Sequence, residues 1–297
     1  MTAPLDQRTA RDIVEGRHGD PFSVLGQHTL PDGSQCVRVF HPNVDRVEVL
    51  ARDSGMLLAV LDPVEGAPGL YDGILPGIAG RYDYRLRLSR GNDSWEEEDA
   101  YAFGTVLGEV DEYLLGEGTH GQLWRALGAH LTSYAGTWGV HFAVWAPNAS
   151  RVSVVGAFNE WDGRRHIMRR RGPTGIWEIF VPGVTEGAIY KFELLDANGM
   201  LLPLKADPVG FGSELPPNTA SVVRDLGQHW WMDNGWMATR WQKHRIDQPI
   251  SIYEVHLESW RRVPEDGDRP LNYRELAEEL VRYAADMGFT HIETTPI

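Results

Sequence analysis

Apolar and polar residues alternate in short stretches through most of the chain. Val140, Phe142 and Val144 are separated by single residues, which is the period-two pattern of a half-buried β-strand. Turn-forming Gly, Pro and Asn residues separate further stretches of this kind, at 152–154, 177–181 and 190–194. Short strands at this spacing predict a β-sandwich.

The same pattern occurs twice. Residues 39–49 match residues 144–154, both with a hydrophobic strand, a Pro-Asn turn and a second strand. Further pairs follow in the same order: Tyr71 with Trp177, Tyr84 with Tyr190, Asp99 with Asp207, Phe103 with Phe211 and Gly104 with Gly212. Matches that keep their order and spacing indicate two copies of one all-β module.

The pattern changes after Pro249. Residues 250–257 are apolar on both faces, as a buried parallel strand requires. Asn272 and Glu275 have the residue types and spacing of a capping box, and apolar residues then recur at helical spacing as far as Met287. Gly288 lies where a C-terminal helix cap is expected, and residues 289–293 predict another strand. One β-loop-α-β unit cannot close a barrel, so a continuation beyond Ile297 is expected.

These patterns divide the chain into four segments. An N-terminal β-sandwich module occupies residues 1–106, and a connector with helical character at 123–127 occupies residues 107–130. The second β-sandwich module occupies residues 131–228. Residues 229–297 form a linker and the start of an α/β domain.

Composition excludes several classes of function. The chain of 297 residues has 28 Lys and Arg residues against 42 Asp and Glu residues, a net charge of −14, which disfavours binding to nucleic acids and anionic membranes. No apolar stretch is long enough to cross a membrane, and the N-terminus lacks the pattern of a signal peptide, so a cytoplasmic protein is expected. The single cysteine, Cys36, excludes an internal disulfide, and no cofactor or metal motif is present.

Seven motifs in order make the chain resemble the bacterial glycogen branching enzymes of the α-amylase superfamily. They are DPFSVLG at 20–26, DEYLLGEGTH at 111–120, GVHFAVWAPNA at 139–149, GAFNEWD at 156–162, LKADP at 204–208, IYEVHLESWRR at 252–262 and MGFTHIE at 287–293. The chain departs from the family at Thr294 and Thr295, where apolar residues are usual.

The resemblance implies a mainly β fold: two tandem immunoglobulin-like β-sandwich modules, then the first βα unit of a truncated (β/α)8 barrel. It also implies the N-terminal part of an enzyme that transfers α-1,4-glucan segments to 6-hydroxyl groups, forming the α-1,6 branches of glycogen. The family's catalytic carboxyl groups lie on later barrel strands, beyond Ile297. We therefore assign no catalytic residue and expect this chain to be inactive alone.

One site in the second module is a candidate for glucan binding. Trp161 follows Phe158-Asn159 on a predicted exposed turn, and the first module has no equivalent aromatic residue. An indole face can pack against a glucose ring while Lys191 and Asn218 hydrogen-bond its hydroxyls. Resemblance to glycogen-binding modules implies that Trp161 and Lys191 contact glucan, although Met200 stands where those modules have a second aromatic residue. Packing at a domain interface or in the core is the alternative role for Trp161.

Two other functions remain open from the sequence. One is a noncatalytic protein that binds α-glucans such as glycogen or amylose-like chains. The other is the front end of a related debranching or trehalose-forming hydrolase, which would share the second module. The tandem repeat and the connector motif at 111–120 favour a branching enzyme.

Overall fold

The computed structural model describes residues 5–295. The chain separates into two compact units, one ending at Gln228 and the other beginning at His229. Within residues 5–295, none of the helices is long and apolar enough to cross a membrane.

The first module is one curled antiparallel sheet in the order β1-β2-β5-β4-β3-β6-β7. It follows helix α1 (Gln7–Val14), and its strands are β1 (Gly26–Thr29), β2 (Gln35–Phe40), β3 (Arg46–Ala51), β4 (Leu57–Pro63), β5 (Leu70–Leu75), β6 (Tyr84–Arg90) and β7 (Asp93–Glu97). Strand β4 pairs with β3 along its first part and with β5 only through Asp62 and Pro63, so the sheet bends there. The curled sheet encloses a core that includes Val37, Val49 and Leu86.

The segment between the modules contains helix α2 (Glu109–Glu117) and one turn of 3-10 helix at Leu123–Arg125. The acidic run that begins at Glu109 forms the first turn of α2, where negative charge favours the helix dipole. Gly118 ends the helix in the left-handed conformation, with φ of 70°. The sequence predicted helical character only at 123–127, because an acidic segment with two glycines also fits a loop.

The second module is a sandwich of two antiparallel sheets, ordered β11-β12-β9-β8 and β10-β13-β14. Its strands are β8 (Gly128–Tyr134), β9 (Thr137–Trp145), β10 (Arg151–Gly156), β11 (Arg169–Arg171), β12 (Ile176–Pro182), β13 (Ile189–Leu195) and β14 (Ser221–Val222). Phe142, Trp177 and Tyr190 are buried in its core. The mainly β fold predicted from alternation is therefore confirmed.

The two modules form the same buried Tyr–Asp hydrogen bond at matched positions of the internal repeat. In the first module the Tyr84 hydroxyl donates to Asp99 Oδ2 at 2.6 Å, and in the second the Tyr190 hydroxyl donates to Asp207 Oδ2 at 2.7 Å. Each aspartate also accepts from a backbone amide two residues later, at 2.9 and 2.8 Å. The matched positions therefore form the same buried contact in both modules.

A further match lies in a segment that the sequence assigned to the connector. His28 Nε2 lies 2.9 Å from Leu25 O, and His130 Nε2 lies 3.0 Å from Leu127 O. The glycine after each leucine has a positive φ, 85° at Gly26 and 105° at Gly128. The second copy thus begins within the predicted connector, and a Leu-Gly-x-His signal at 25–28 and 127–130 marks the start of both.

The terminal unit contains α3 (Asn234–Lys243), β15 (Ile252–Val255), α4 (Leu257–Trp260), β16 (Arg262–Val263), β17 (Arg269–Pro270), α5 (Tyr273–Asp286) and β18 (His291–Thr294). Strands β15 and β18 pair in parallel, which confirms the predicted β-loop-α-β unit. The capping box is also present: Asn272 Oδ1 accepts from the Glu275 amide at 3.0 Å, and Glu275 Oε2 accepts from the Asn272 amide at 2.8 Å. Within the described residues of this unit, no barrel is formed.

Candidate functional site: the Trp161 turn

Trp161 lies on a strained turn that follows directly from β10. One turn of 3-10 helix, Ala157–Asn159, leads to Glu160 and Trp161, whose φ angles are 58° and 60°. The left-handed conformation costs an L-residue about 1–2 kcal/mol. Two such residues in succession persist only when the surroundings hold them, and such strain often occurs at functional positions.

Buried Asn159 provides much of this support. Its Oδ1 accepts from the Gly156 amide and its Nδ2 donates to Val154 O, both at 2.9 Å. The Trp161 amide donates to Gly156 O at 2.9 Å. These bonds fix the backbone while the Trp161 side chain remains 41% exposed. The predicted exposed turn is therefore present, and the indole is available to a ligand.

The first module packs against this turn and against the segment that follows it. Asn43 Nδ2 donates to Glu160 Oε2 at 3.2 Å. The Tyr101 hydroxyl donates to Arg165 O at 3.1 Å and accepts from the Ile167 amide at 3.0 Å. Sequence patterns could not predict these contacts, because they join residues far apart in the chain. They make the first module a support for the Trp161 turn.

Lys191 and Asn218 are brought together beside β13. Lys191 pairs with Val155 across the sheet, and its Nζ donates to Thr219 Oγ1 at 2.7 Å. Asn218 precedes Thr219 and donates from Nδ2 to Glu214 Oε1 at 3.2 Å. Because Lys191 pairs with the residue before Gly156, it lies in the sheet from which the Trp161 turn emerges, whereas Asn218 lies in the loop that precedes β14.

An exposed apolar strip lies alongside β13. Met200 lies on the turn after β13, and Leu201 and Leu204 are also exposed. Isolated bridges from Leu195 to Leu201 and from Phe192 to Lys205 hold the strip alongside β13. The resemblance to glycogen-binding modules identifies Met200 as the replacement for an aromatic residue, but no sequence pattern marks the two leucines.

This set of side chains fits ligand binding. An indole face, an ammonium group and an amide can contact a neutral polyhydroxylated ligand. No group of three or more His, Cys, Asp or Glu side chains that could hold a metal ion occurs among residues 5–295. Trp161 supplies an exposed apolar face, and Lys191 and Asn218 supply hydrogen-bonding groups.

Comparisons with known proteins agree with this chemistry. Residues 6–101 match the family model of the alpha-1,4-glucan branching enzyme GlgB, N-terminal domain. Residues 126–210 match carbohydrate-binding module 48 (isoamylase N-terminal domain). The start of the second match, just before β8, agrees with the repeat signal at Gly128.

Similar proteins cover the whole of this chain. The 1,4-alpha-glucan branching enzyme GlgB of Roseobacter denitrificans is 55% identical over 99% of this chain and 40% of its own length. The enzymes of the same name from Cereibacter sphaeroides and Pseudomonas aeruginosa are 53% and 50% identical, over 96% and 100% of this chain. This chain spans 38–40% of the length of these three relatives.

Similarity to solved structures is weaker. A pullulanase from Anoxybacillus sp. LM18-11 overlaps 89% of this chain and 38% of that chain at 18% identity, with a TM-score of 0.40, too low to decide the fold. The two family matches and the identities over 96–100% of this chain confirm the resemblance that the motifs indicated. The chain therefore belongs to the bacterial 1,4-alpha-glucan branching enzymes and corresponds to the N-terminal part of those proteins.

Proposed function

We propose that the protein containing this chain transfers α-1,4-glucan segments to 6-hydroxyl groups and forms the α-1,6 branches of glycogen in the cytoplasm. In that protein residues 1–106 serve as the first module, the segment from 107 to β8 as the connector, the sandwich from β8 to residue 228 as the carbohydrate-binding module, and residues 229–297 as the start of the catalytic domain. The match at 6–101 to a branching-enzyme domain supports this function over that of a debranching hydrolase.

In this proposal the second module holds the α-glucan through Trp161, Lys191 and Asn218. The observation that carries it is the strained Trp161 turn, which keeps an indole exposed within the segment that matches a carbohydrate-binding module. The indole packs against the apolar face of a glucose ring. Lys191 and Asn218 donate hydrogen bonds to the glucose hydroxyls through the N–H groups that are not already bonded to Thr219 and Glu214.

Trp161→Ala is expected to weaken retention on glycogen roughly 5- to 150-fold, the effect of losing about 1–3 kcal/mol of aromatic stacking. Folding stability should change little, because the indole is exposed and alanine keeps the same backbone strain. Affinity electrophoresis in glycogen-containing gels measures retention, and thermal melting measures stability.

The matched control is Trp177→Ala. Trp177 is only 1% exposed and its Nε1 donates to Ala146 O at 3.1 Å, so its loss should cost about 3–5 kcal/mol of stability. If Trp161→Ala is retained like the wild type but melts earlier, Trp161 is a packing residue and the proposed site is wrong.

The 297-residue chain is expected to form no α-1,6 linkages from amylose. Retaining glycosyl transfer needs two carboxyl groups about 5–5.5 Å apart that flank the scissile bond. The resemblance places the family's carboxyl groups beyond Ile297. Iodine staining and quantification of α-1,6 linkages measure branching, with a full-length relative as positive control. Branching activity that persists through repurification would contradict this expectation.

A further inference from the structure

A groove separate from the Trp161 turn lies between the connector and the four-stranded sheet of the second module. Its volume is about 490 Å³, within the range of about 300–1,000 Å³ that is typical of small-molecule sites. The C-terminal end of α2 forms one wall, including Leu115 and Glu117. Trp145, Pro147 and Thr174 form the other wall, and Leu123 lies between them.

Trp145 is held in this groove as a preformed platform. Its side chain is 59% exposed at the end of β9, yet its Nε1 donates to Thr174 O at 3.2 Å. Gly175, with φ of 78°, allows this close approach: a Cβ there would lie 2.7 Å from Pro147 and 3.2 Å from Trp145 Nε1. With its only donor already used, the indole offers a ligand its apolar face, and little rotamer freedom remains to be lost on binding.

The opposite wall supplies hydrogen-bond acceptors. Residues 115–118 form the C-terminal end of α2, where the helix dipole is negative, and Glu117 adds a carboxylate. One Glu117 oxygen accepts from the Tyr113 hydroxyl at 2.8 Å, which positions the carboxylate. Asp111 accepts from His120 at 3.0 Å and adds negative charge nearby. This wall repels anions and favours a ligand that donates hydrogen bonds.

Apolar packing and ion pairs hold both walls of the groove in place. Leu115 packs against a core that joins Leu107 and Leu127 of the connector to Ala143 and Ile176 of the sheet. Arg171 binds Glu112 of α2 and also donates to Glu178 Oε1 of β12 at 2.7 Å. Both walls are therefore anchored to the same sandwich.

We propose that this groove is a second α-glucan site, in which Trp145 stacks on a glucosyl ring and Glu117 accepts from its hydroxyls. The ligand must carry no negative charge, donate hydrogen bonds and have an apolar face, and a short α-glucan segment meets all three requirements. The choice of glucan rests on the proposed function. Because Trp145 ends β9 in one sheet and the Trp161 turn follows β10 in the other, one module holds glucan at two places.

The test compares single and double variants of the 297-residue chain with maltoheptaose by titration calorimetry and with glycogen by affinity electrophoresis. Trp145→Ala should weaken binding roughly 5- to 150-fold without lowering the melting temperature. Trp145→Phe should restore part of the affinity, because it restores an aromatic face. Trp138→Ala removes an exposed indole from the opposite end of β9 and should leave binding unchanged.

Each outcome decides between the sites. Loss of binding in Trp145→Ala, with a further loss in Trp145→Ala/Trp161→Ala, supports two sites. If only Trp161→Ala weakens binding, the groove proposal is overturned and the proposed function stands. If only Trp145→Ala weakens it, the groove stands and the Trp161 site falls. A wild-type chain that binds neither glucan overturns both, and a drop in melting temperature that accounts for the Trp145→Ala effect makes Trp145 a packing residue.

Discussion

Glu178→Ala is expected to lower the free energy of unfolding of the first unit by about 3–5 kcal/mol, the usual effect of removing one partner from a buried ion pair. Glu178 is 2% exposed. Its Oε2 accepts from the amides of Val106 and Leu107 at 3.0 and 2.9 Å and from His141 Nε2 at 2.8 Å. Alanine would leave the two amides and His141 buried without their acceptor, and Arg171 would keep only Glu112 as its partner.

The ionised form of Glu178 is the one that the fold stabilises. Burial alone would raise the pKa of Glu178. The hydrogen bond and charge of His141, helped by the two backbone amides, outweigh burial, so the pKa lies below its usual 4.5. Glu178→Gln should therefore also destabilise, but less than alanine, because one acceptor oxygen is retained.

Urea unfolding measures the change, and amide hydrogen exchange at Val106 and Leu107 localises it. Glu96→Ala is the control: Glu96 binds Arg87 at 2.9 Å on the surface of the first module, where ion pairs contribute little. If Glu178→Ala and Glu96→Ala have the same stability, Glu178 does not hold the connector to the sandwich.

The sequence predicts those parts of the fold that depend on local patterns. Alternation identifies strands because one face of each sheet is buried, and the capping box at Asn272 identifies a helix start because both of its bonds are local. The repeat identifies Tyr84 and Asp99 as counterparts of Tyr190 and Asp207, because each pair lies within one module.

Contacts between residues far apart in the chain cannot be predicted from local sequence patterns. The bonds of Tyr101 to Arg165 and Ile167 depend on how one module packs against the other, which no local spacing specifies. The exposure of Trp161 follows from its turn motif, but the positive φ angles at Glu160 and Trp161 depend on buried Asn159. The sequence contains Trp145 within the motif at 139–149 but gives no signal of a site there, because the groove needs a connector wall distant in sequence.

Acidification between pH 6.5 and 4 is expected to destabilise the packing between the two β modules, mainly through histidines that remain neutral when folded. His41 of the first module is buried, and Arg165 Nη2 donates to its Nε2 at 2.8 Å. Burial, followed by the positive charges of Arg165 and Arg90, lowers the pKa of His41 to about 4 from 6.5, against a smaller opposing effect of Asp162. Burial and Arg165 also lower the pKa of His166, to about 3.

Whether stability rises or falls on acidification depends on whether the unfolded or the folded chain binds the proton at the higher pH. Below pH 6.5 the unfolded chain protonates His41 while the folded chain does not, so stability falls by about 1.4 kcal/mol per pH unit, or about 3 kcal/mol by pH 4. His166 acts in the same direction. Asp99 acts oppositely: burial raises its pKa to about 6 from 3.8, so folding gains about 3 kcal/mol as the pH falls through that window.

Two variants separate these opposing contributions. His41→Gln keeps an acceptor for Arg165 but cannot titrate, so stability should fall about 3 kcal/mol less between pH 6.5 and 4 than in the wild type. Asp99→Asn removes the compensating proton uptake, so its stability should fall more steeply below pH 6. Urea unfolding of both variants and the wild type at pH 4–7 measures the slopes. Equal slopes for His41→Gln and the wild type would show that His41 does not set the acid sensitivity, because a group that titrates alike in both states cannot change stability with pH.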